Sequence, residues 1–292
     1  MPNYVMNEVK ITKGLEIFEQ LMLDEEGKIT FNKIIPRHED LEITSPCEWN
    51  KKSFNKKLAD FCIAIEKLLT EYYDETVTQE EFVTKTYLNI PNHLKFSFFE
   101  AQGRDMTSDD YKKYMKNLLK GFFNEKRYGY TSWYEWSYAN WGTKWDALTE
   151  VQCSDGSSYC FQTAWSCPTP VFNKLASMGV EFILAWADED KGHNLGIVEV
   201  KDGQVKDLLK EIVEKTGVSL YAMSTIINGN ELEDEVECYR HFDEEAYKCC
   251  EGCTGDCEDC EQDVAYSKFI EKTHLSEEAN KAQELYTELM SD

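Results

Sequence analysis

Four cysteines between positions 250 and 260 have the residue type and spacing of a metal site. Cys250 and Cys253 form one Cys-x-x-Cys pair, and Cys257 and Cys260 form a second pair. Two cysteines at this spacing reach one tetrahedral ion, and their thiolates are preferred ligands of Zn²⁺. The sequence therefore makes these four cysteines candidate ligands of a structural zinc, with an iron–sulfur cluster as a less favoured alternative.

The same cysteine cluster also allows an interpretation without a metal. The two pairs are separated by three residues, whereas zinc sites commonly have a spacer of about 12–20 residues. If the segment is helical, all four cysteines share one face and act as small hydrophobic residues in a seam. Gly252 and Gly255 favour loops instead. Metal binding and packing therefore both stay open.

A second candidate is the run Asp188, Glu189 and Asp190. Neighbouring carboxylates can serve acid–base chemistry or bind a divalent cation. Adjacent acids at the end of a strand usually point to different sides, however, and Gly192 and Gly196 are typical of a turn capped by Asp and Asn side chains. The sequence favours a structural turn. A nucleotide-processing enzyme that uses Asp188 and Asp190 is the less favoured alternative.

Trp141 and Trp145 lie in an aromatic-dense segment, 131–147, that the sequence predicts to be a helix. Residues four apart on a helix share one face, and Gly142 permits close approach of another backbone. Tryptophan buries a large area in a core, and it is also enriched among the residues that dominate binding at protein interfaces. We expect core packing for this pair, with an exposed binding surface as the alternative.

The charge of the chain is its most unusual overall property. Lys and Arg total 31 against 55 Asp and Glu, which gives a formal net charge of -24. Residues 231–263, which include Glu233, Asp234 and Glu235, contain fourteen acidic residues against two basic ones and so carry half of the net charge. A surface this negative repels nucleic acid and anionic membranes and suits docking on a basic surface. We therefore expect a protein partner, without direct nucleic-acid or membrane binding.

Hydrophobic periodicity predicts the elements that would position these residues. Residues 3–11 alternate apolar with polar and predict a strand with one buried face, and Thr78-x-x-Glu81 predicts a capping box at the start of a helix. The other predicted helices are 14–23, 54–73, 108–123, 131–147, 171–178, 204–216 and 264–289. The other predicted strands are 148–153, 159–165, 180–187, 194–200 and 218–227, with 31–36 as a strand or an extended arm.

The composition predicts a folded, soluble protein of the cytoplasm. Hydrophobic residues are 42% of the chain and aromatic residues 13%, which argues against disorder. The first residues lack the basic and apolar regions of a signal peptide, and no stretch approaches the ~18 apolar residues of a membrane span. We therefore expect the eleven cysteines to be unpaired in a reducing compartment. The sequence has no Gly-rich phosphate loop, Gly-x-Ser-x-Gly or His-Glu-x-x-His, which favours a protein that is not an enzyme.

Five short motifs, in chain order, resemble those of one protein family. They are Met-Pro-Asn-Tyr-Val at 1–5, Phe-Asn-Lys-Ile-Ile-Pro at 31–36, Trp-Gly-Thr-Lys-Trp at 141–145, Thr-Ala-Trp-Ser at 163–166 with Pro168 and Pro170 after it, and Ala-Asp-Glu-Asp-x-Gly-x-Asn-x-Gly at 187–196. Together they resemble the Api92-like domain of phages and conjugative plasmids, over about 1–36 and 130–205. The resemblance implies a ferredoxin-like βαββαβ sheet with helices on one face. It brings no catalytic residue with it.

The resemblance and the periodicity together predict an α+β fold in three parts. Residues 1–46 and 126–205 would form the ferredoxin-like core, 47–125 a helical insertion, and 206–292 an acidic, Cys-rich extension with a final helix. For function, we expect a non-enzymatic phage or mobile-element protein that forms a homo-oligomer. It would bind and inhibit a host antiviral defence complex, such as a nuclease complex. A zinc-stabilised structural or regulatory module is the alternative.

Overall fold

The computed structural model describes residues 3–43, 56–95, 108–152, 158–229 and 277–291. Several residues singled out above lie outside these ranges: Glu233, Asp234, Glu235, Cys250, Cys253, Cys257 and Cys260. The chain divides into two compact units. The first unit comprises Met1–Ile35 and Trp141–Asp292, and the second comprises Pro36–Asn140.

The first unit contains both strands and helices, whereas the second unit is mainly helical. Within the described residues, the strands in chain order are β1 (Tyr4–Lys13), β2 (Leu148–Gln152), β3 (Ser158–Ala164), β4 (Glu181–Asp188), β5 (Leu195–Lys201) and β6 (Gln204–Asp207). The longer helices are α1 (Leu15–Met22), α2 (Lys56–Tyr72), α3 (Gln79–Asn89), α4 (Ser108–Tyr128), α5 (Trp133–Asn140), α6 (Thr169–Ser177), α7 (Leu208–Thr216), α8 (Leu220–Ile227) and α9 (Glu277–Met290).

The strands of the first unit form one antiparallel sheet in the order β2-β3-β1-β4-β5-β6. Within this unit the chain runs β1, α1, β2, β3, α6 and β4, and the second unit is inserted between α1 and β2. The first four strands therefore lie as β4-β1-β3-β2, which is the arrangement of a ferredoxin-like βαββαβ fold. This confirms the predicted fold class, and β5 and β6 extend the sheet beyond β4.

The burial pattern of β1 explains why the sheet has two different faces. Every second residue of Val5–Ile11 is buried, because side chains on a strand alternate between the two sides. On this side the ring of Phe172 in α6 lies 5.2 Å from the ring of Phe182 and 6.3 Å from that of Phe161, measured between centroids. The buried set of β1 thus faces a core of aromatic side chains.

The opposite face of the sheet is also covered, by α7, α8 and α9. Ile183 of β4 belongs to one buried apolar cluster with side chains from all three helices. Above β1 the contact is polar, since the Tyr286 hydroxyl of α9 donates a hydrogen bond to the Glu8 carboxylate. The expectation of helices on one face only is therefore wrong. The second helical layer comes from the segment predicted to be a C-terminal extension.

The predicted helix 204–216 begins four residues later than expected. Gln204 pairs with Lys201 across a two-residue turn, in which Asp202 and Gly203 have φ values of 50° and 72°. Such a turn matches the twist of two paired antiparallel strands. The residues after it therefore pair with β5 as the strand β6. Asp207 then caps α7 by accepting a hydrogen bond from the backbone N–H of Lys210, at 3.0 Å.

The predicted strand 218–227 is also wrong, because this segment forms α8. Ser219 caps the helix by accepting a hydrogen bond from the backbone N–H of Ala222, at 3.2 Å. The residues 222–227 are all buried. A short, mostly apolar run that is buried throughout has no clear period, so a buried helix and a buried strand look alike in sequence.

The described part of the second unit is mainly helical. Its core joins Ile65 of α2, Phe82 of α3 and Phe123 of α4, with the two phenylalanine ring centroids 5.5 Å apart. The predicted helix 108–123 continues to Tyr128. Among the helices that the structure describes in both units, none combines the length and the apolar character needed to cross a membrane.

The predicted capping box at the start of α3 is confirmed, and it gives a first testable prediction. The Thr78 hydroxyl accepts a hydrogen bond from the backbone N–H of Glu81, and the Glu81 carboxylate accepts one from the backbone N–H of Thr78. Thr78→Ala removes the first bond, so we expect it to lower the free energy of unfolding by about 1 kcal/mol. Thr84→Ala, at an exposed position of the same helix, is the matched control. Equal effects of both changes in urea unfolding would contradict the assignment.

Candidate functional site

The aromatic segment 131–147 is not one continuous helix. α5 ends at Asn140, and a turn follows in which Gly142 has a φ of 79°. A side chain at Gly142 would also meet the ring of Pro170, since an added Cβ would lie 2.6 Å from the Pro170 Cδ atom. The prediction that Trp141 and Trp145 share a helical face is therefore wrong. The turn sends the two rings into different surroundings.

Trp141 is a core residue of the first unit. Its side chain is only 1% exposed, and its Nε1–H donates a hydrogen bond of 2.9 Å to the backbone oxygen of Ile35. The ring of Phe31 meets it edge-on, with 6.0 Å between the centroids. This supports the core-packing interpretation for Trp141. Of the two tryptophans, Trp145 is the one that can contact a partner, because it is partly exposed.

Lys144 contacts two tryptophan rings at once. Its Nζ atom is 4.5 Å from the ring centroid of Trp145 and 4.6 Å from that of Trp165. All three side chains are partly exposed. A cation over an indole ring is attracted by the negative face of the ring, by about 0.5–1 kcal/mol at an exposed site. We call Lys144, Trp145 and Trp165 the Trp–Lys–Trp surface.

The backbone of Trp165 is held in an unusual conformation. Its φ is 72°, in the left-handed region that a bulky residue adopts at a cost of about 1–3 kcal/mol. Its N–H donates to the backbone oxygen of Asn3 at 2.9 Å, and its own carbonyl accepts from Nδ2 of Asn194 at 3.0 Å. Asn194 itself has a φ of 47°. Contacts on both sides therefore hold the backbone from which the Trp165 side chain projects.

Asp188 anchors the loop that supplies Asn194. Its carboxyl group, in a residue only 6% exposed, accepts hydrogen bonds from the backbone N–H of Asp190 at 2.9 Å and from Nδ2 of Asn194 at 2.9 Å. Nδ2 of Asn3 donates a third bond, at 3.3 Å. Glu189 and Asp190 are exposed. The three acids thus face different surroundings, as expected for a turn, and the contacts of Asp188 account for a structural role.

Sequence reasoning missed the contribution of α8 to this loop. The backbone N–H of Gly192 donates to the Ser224 hydroxyl at 2.8 Å, and Nδ2 of Asn228 donates to the backbone oxygen of Asp188 at 3.3 Å. Because 218–227 was predicted to be a strand, no helix was expected to hold the loop. Ser224 within the helix and Asn228 directly after it were the polar signal available in the sequence.

Asp146 is a second residue that the sequence did not reveal. Its carboxylate accepts hydrogen bonds from the Thr30 hydroxyl at 2.7 Å and from the backbone N–H of Phe31 at 2.6 Å. The segment 31–35 forms turns, so its prediction as a strand or an extended arm is wrong. Asp146 explains how this segment is joined to the turn that carries Trp145.

The structure bears on the cysteines only in part. Within the described ranges, no three His, Cys, Asp or Glu side chains gather as ligands for a metal ion. The predicted zinc ligands lie outside those ranges, so the structural zinc stays a prediction. Cys160 is disulfide-bonded, so the expectation of unpaired cysteines is wrong for this residue. Cys167 is a free thiol whose burial raises its pKa to about 12, and it is therefore protonated at neutral pH.

Comparison with known proteins shows similarity to one family over part of the chain. Residues 140–247 match the family model described as the ferredoxin-like domain in Api92-like protein. Among solved structures, the chain is similar to protein api92 from Yersinia pseudotuberculosis, with 12% identity and a TM-score of 0.32 over 71% of this chain and 98% of that chain. No curated protein matches the chain. The predicted Api92-like resemblance is thus confirmed for a segment that contains the Trp–Lys–Trp surface and the Asp188 loop.

Proposed function

We propose that this chain is a non-enzymatic binding protein that acts by protein–protein contact, with the Trp–Lys–Trp surface as part of its interface. The observation that carries the proposal is the left-handed backbone of Trp165, held from both sides by Asn3 and Asn194. Strained backbone is found preferentially at functional sites. Here the strained backbone carries a partly exposed indole, which Lys144 contacts together with the ring of Trp145.

A prearranged tryptophan surface suits a binding role. Tryptophan has few rotatable bonds, so a ring on a fixed backbone loses little conformational entropy when a partner covers it. Tryptophan is also enriched among the residues whose truncation costs most at protein interfaces. The acid most suited to chemistry in the neighbouring loop, Asp188, is occupied by hydrogen bonds within the loop. These contacts favour binding over the alternative of an enzyme that uses Asp188 and Asp190.

For the partner, we propose a host antiviral defence complex that handles nucleic acid. The net charge of -24 supports this class, because a basic surface that normally holds DNA attracts an acidic protein. The Api92-like resemblance, which points to phages and conjugative plasmids, supports a setting in which such a partner is present. In this proposal the chain acts as a homo-oligomer in the host cytoplasm and inhibits its partner by covering the basic surface.

A capture experiment tests the role of the Trp–Lys–Trp surface. Tagged chain would be used to capture partners from a bacterial host lysate, followed by native mass spectrometry of the complex. We expect Trp145→Ala to weaken the binding of the captured partner by about 30-fold or more, as at an interface hot spot. Trp133→Ala, at another partly exposed tryptophan, is the matched control. If both variants bind the captured partner equally well, the Trp–Lys–Trp surface is not part of the interface.

A further inference from the structure

β6 is an edge of the described sheet with an accessible backbone. It pairs with β5 on one side, and no described strand pairs with its other side. All four of its residues are exposed, and Val205 reaches 67% exposure. An edge of this kind presents N–H and C=O groups on which another strand can form.

The turn between β5 and β6 fixes which backbone groups face outward. Asp202 and Gly203, with φ values of 50° and 72°, form the two-residue turn, so Lys201 and Gln204 are the hydrogen-bonded pair that closes it. Hydrogen-bonded and non-hydrogen-bonded pairs then alternate along the ladder. Val205 falls at a non-hydrogen-bonded position opposite β5. Its N–H and C=O therefore point away from the sheet.

A groove opens beside β6 on the face of the sheet that carries Lys206. It has a volume of about 400 Å³, with an apolar floor from α7 and α9 that includes Leu208, Ile212 and Leu289. Three glutamates and two lysines complete its lining, which gives a net charge of -1. The Lys206 ammonium pairs with the Glu211 carboxylate at 2.9 Å. A strand added to β6 would place every second side chain on the face of this groove.

We propose that β6 accepts an extended segment of a partner protein as an additional strand, and that this segment alternates apolar with basic side chains. The apolar side chains would lie over the groove. The basic side chains would share the other face with Val205 and the exposed Asp207. Backbone hydrogen bonds supply affinity in this mode of recognition, and the groove supplies specificity. This surface goes beyond the proposed function and does not use the Trp–Lys–Trp surface.

Charge decides between a partner protein and a second copy of the chain. If Val205 of each copy faced Asp207 of the other, Lys206 would stand opposite Lys206, and like charges directly opposite each other destabilise a strand pair. Each copy also carries a net charge of -24, which opposes association of two such edges. A basic segment of a partner protein would avoid both the Lys206–Lys206 pairing and the repulsion between two acidic chains.

Val205→Pro tests the proposal without disturbing the ladder with β5. The Val205 N–H points outward, so proline removes the donor offered to the partner and keeps the bonds of β6 to β5. The probe is a fluorescein-labelled eight-residue peptide, blocked at both ends, that alternates valine with lysine. In fluorescence polarisation we expect Val205→Pro to weaken binding at least 10-fold. The control variant Val205→Thr keeps the outward N–H and should bind within 2-fold of the unchanged chain.

A second arm uses only the unchanged protein, so it does not depend on the folding of a variant. The same peptide with every backbone nitrogen methylated has no N–H to donate to an edge strand, and we expect its binding to fall at least 10-fold. A peptide with glutamate in place of lysine should not bind. If the methylated peptide binds as well as its parent, charge attraction alone explains binding and the proposal is overturned. Absence of binding by the parent peptide would also overturn it.

Discussion

Replacement of Asp188 by alanine is expected to lower the free energy of unfolding by about 2–4 kcal/mol. The carboxyl group accepts hydrogen bonds from the backbone of Asp190 and from the side chains of Asn194 and Asn3. These bonds are partly buried, and a hydrogen bond to a charged group contributes about 1.5–3 kcal/mol, so loss of their common acceptor lowers stability. Chemical denaturation monitored by tryptophan fluorescence measures the change.

Asp190→Ala is the matched control for this experiment. It removes the same chemical group two residues away, from an exposed side chain, so we expect a change within about 0.5 kcal/mol. An Asp188→Ala protein as stable as the unchanged chain would contradict the anchoring role. The Asp188 carboxylate would then be available for chemistry, and the alternative of an enzyme would gain support.

Gly142→Ala is expected to cost about 3 kcal/mol or more. The φ of Gly142 is 79°, which alanine adopts at a cost of about 1–2 kcal/mol. An added Cβ would also lie 2.6 Å from Cδ of Pro170. Because a proline ring has little freedom to move aside, the turn that positions Lys144 and Trp145 must shift. The expected results are a lower unfolding midpoint in denaturant and a changed tryptophan emission.

Gly179→Ala separates the two causes of this loss. Gly179 lies in the same unit as Gly142 and has a φ of 86°, but an added Cβ there meets nothing within 4 Å. It should therefore lose only the backbone contribution, about 1–2 kcal/mol. If both variants lose the same amount, the contact with Pro170 has no energetic role and the packing described for this turn is wrong.

The elements that could be predicted from the sequence are those with a local physical signal. β1 was visible because one face is buried and the other is not, which imposes a period of two. The start of α3 was visible because Thr78 and Glu81 satisfy each other's backbone donors. In both cases the information lies within a few neighbouring residues.

The elements that were predicted wrongly lack such a signal. α8 is buried on nearly all sides, so its apolar run resembles a central strand. β6 is fully exposed and has no buried face to impose alternation, so its residues were assigned to the following helix. The predicted aromatic helix runs past Asn140, where the real helix ends. The helical spacing of the tryptophans favours a longer helix, although Gly142 readily adopts the left-handed conformation that ends one.

The candidate site depended on contacts between residues far apart in the chain. Lys144 and Trp165 meet because the turn after α5 and the end of β3 lie at the same end of the sheet. The strained φ of Trp165 depends on Asn3 and Asn194, which no local pattern connects to it. The sequence motifs included all of these residues. Only the strand order brought them together.

The central claim is that the chain acts by stoichiometric contact and not by turnover. The most direct test titrates the purified chain into a fixed amount of a defence nuclease captured from the host, while the activity of that nuclease is measured. The proposal predicts that inhibition is complete at a fixed molar ratio, does not grow with incubation time, and weakens with Trp145→Ala. Progressive inactivation by far less than one chain per nuclease would show catalysis and contradict the account.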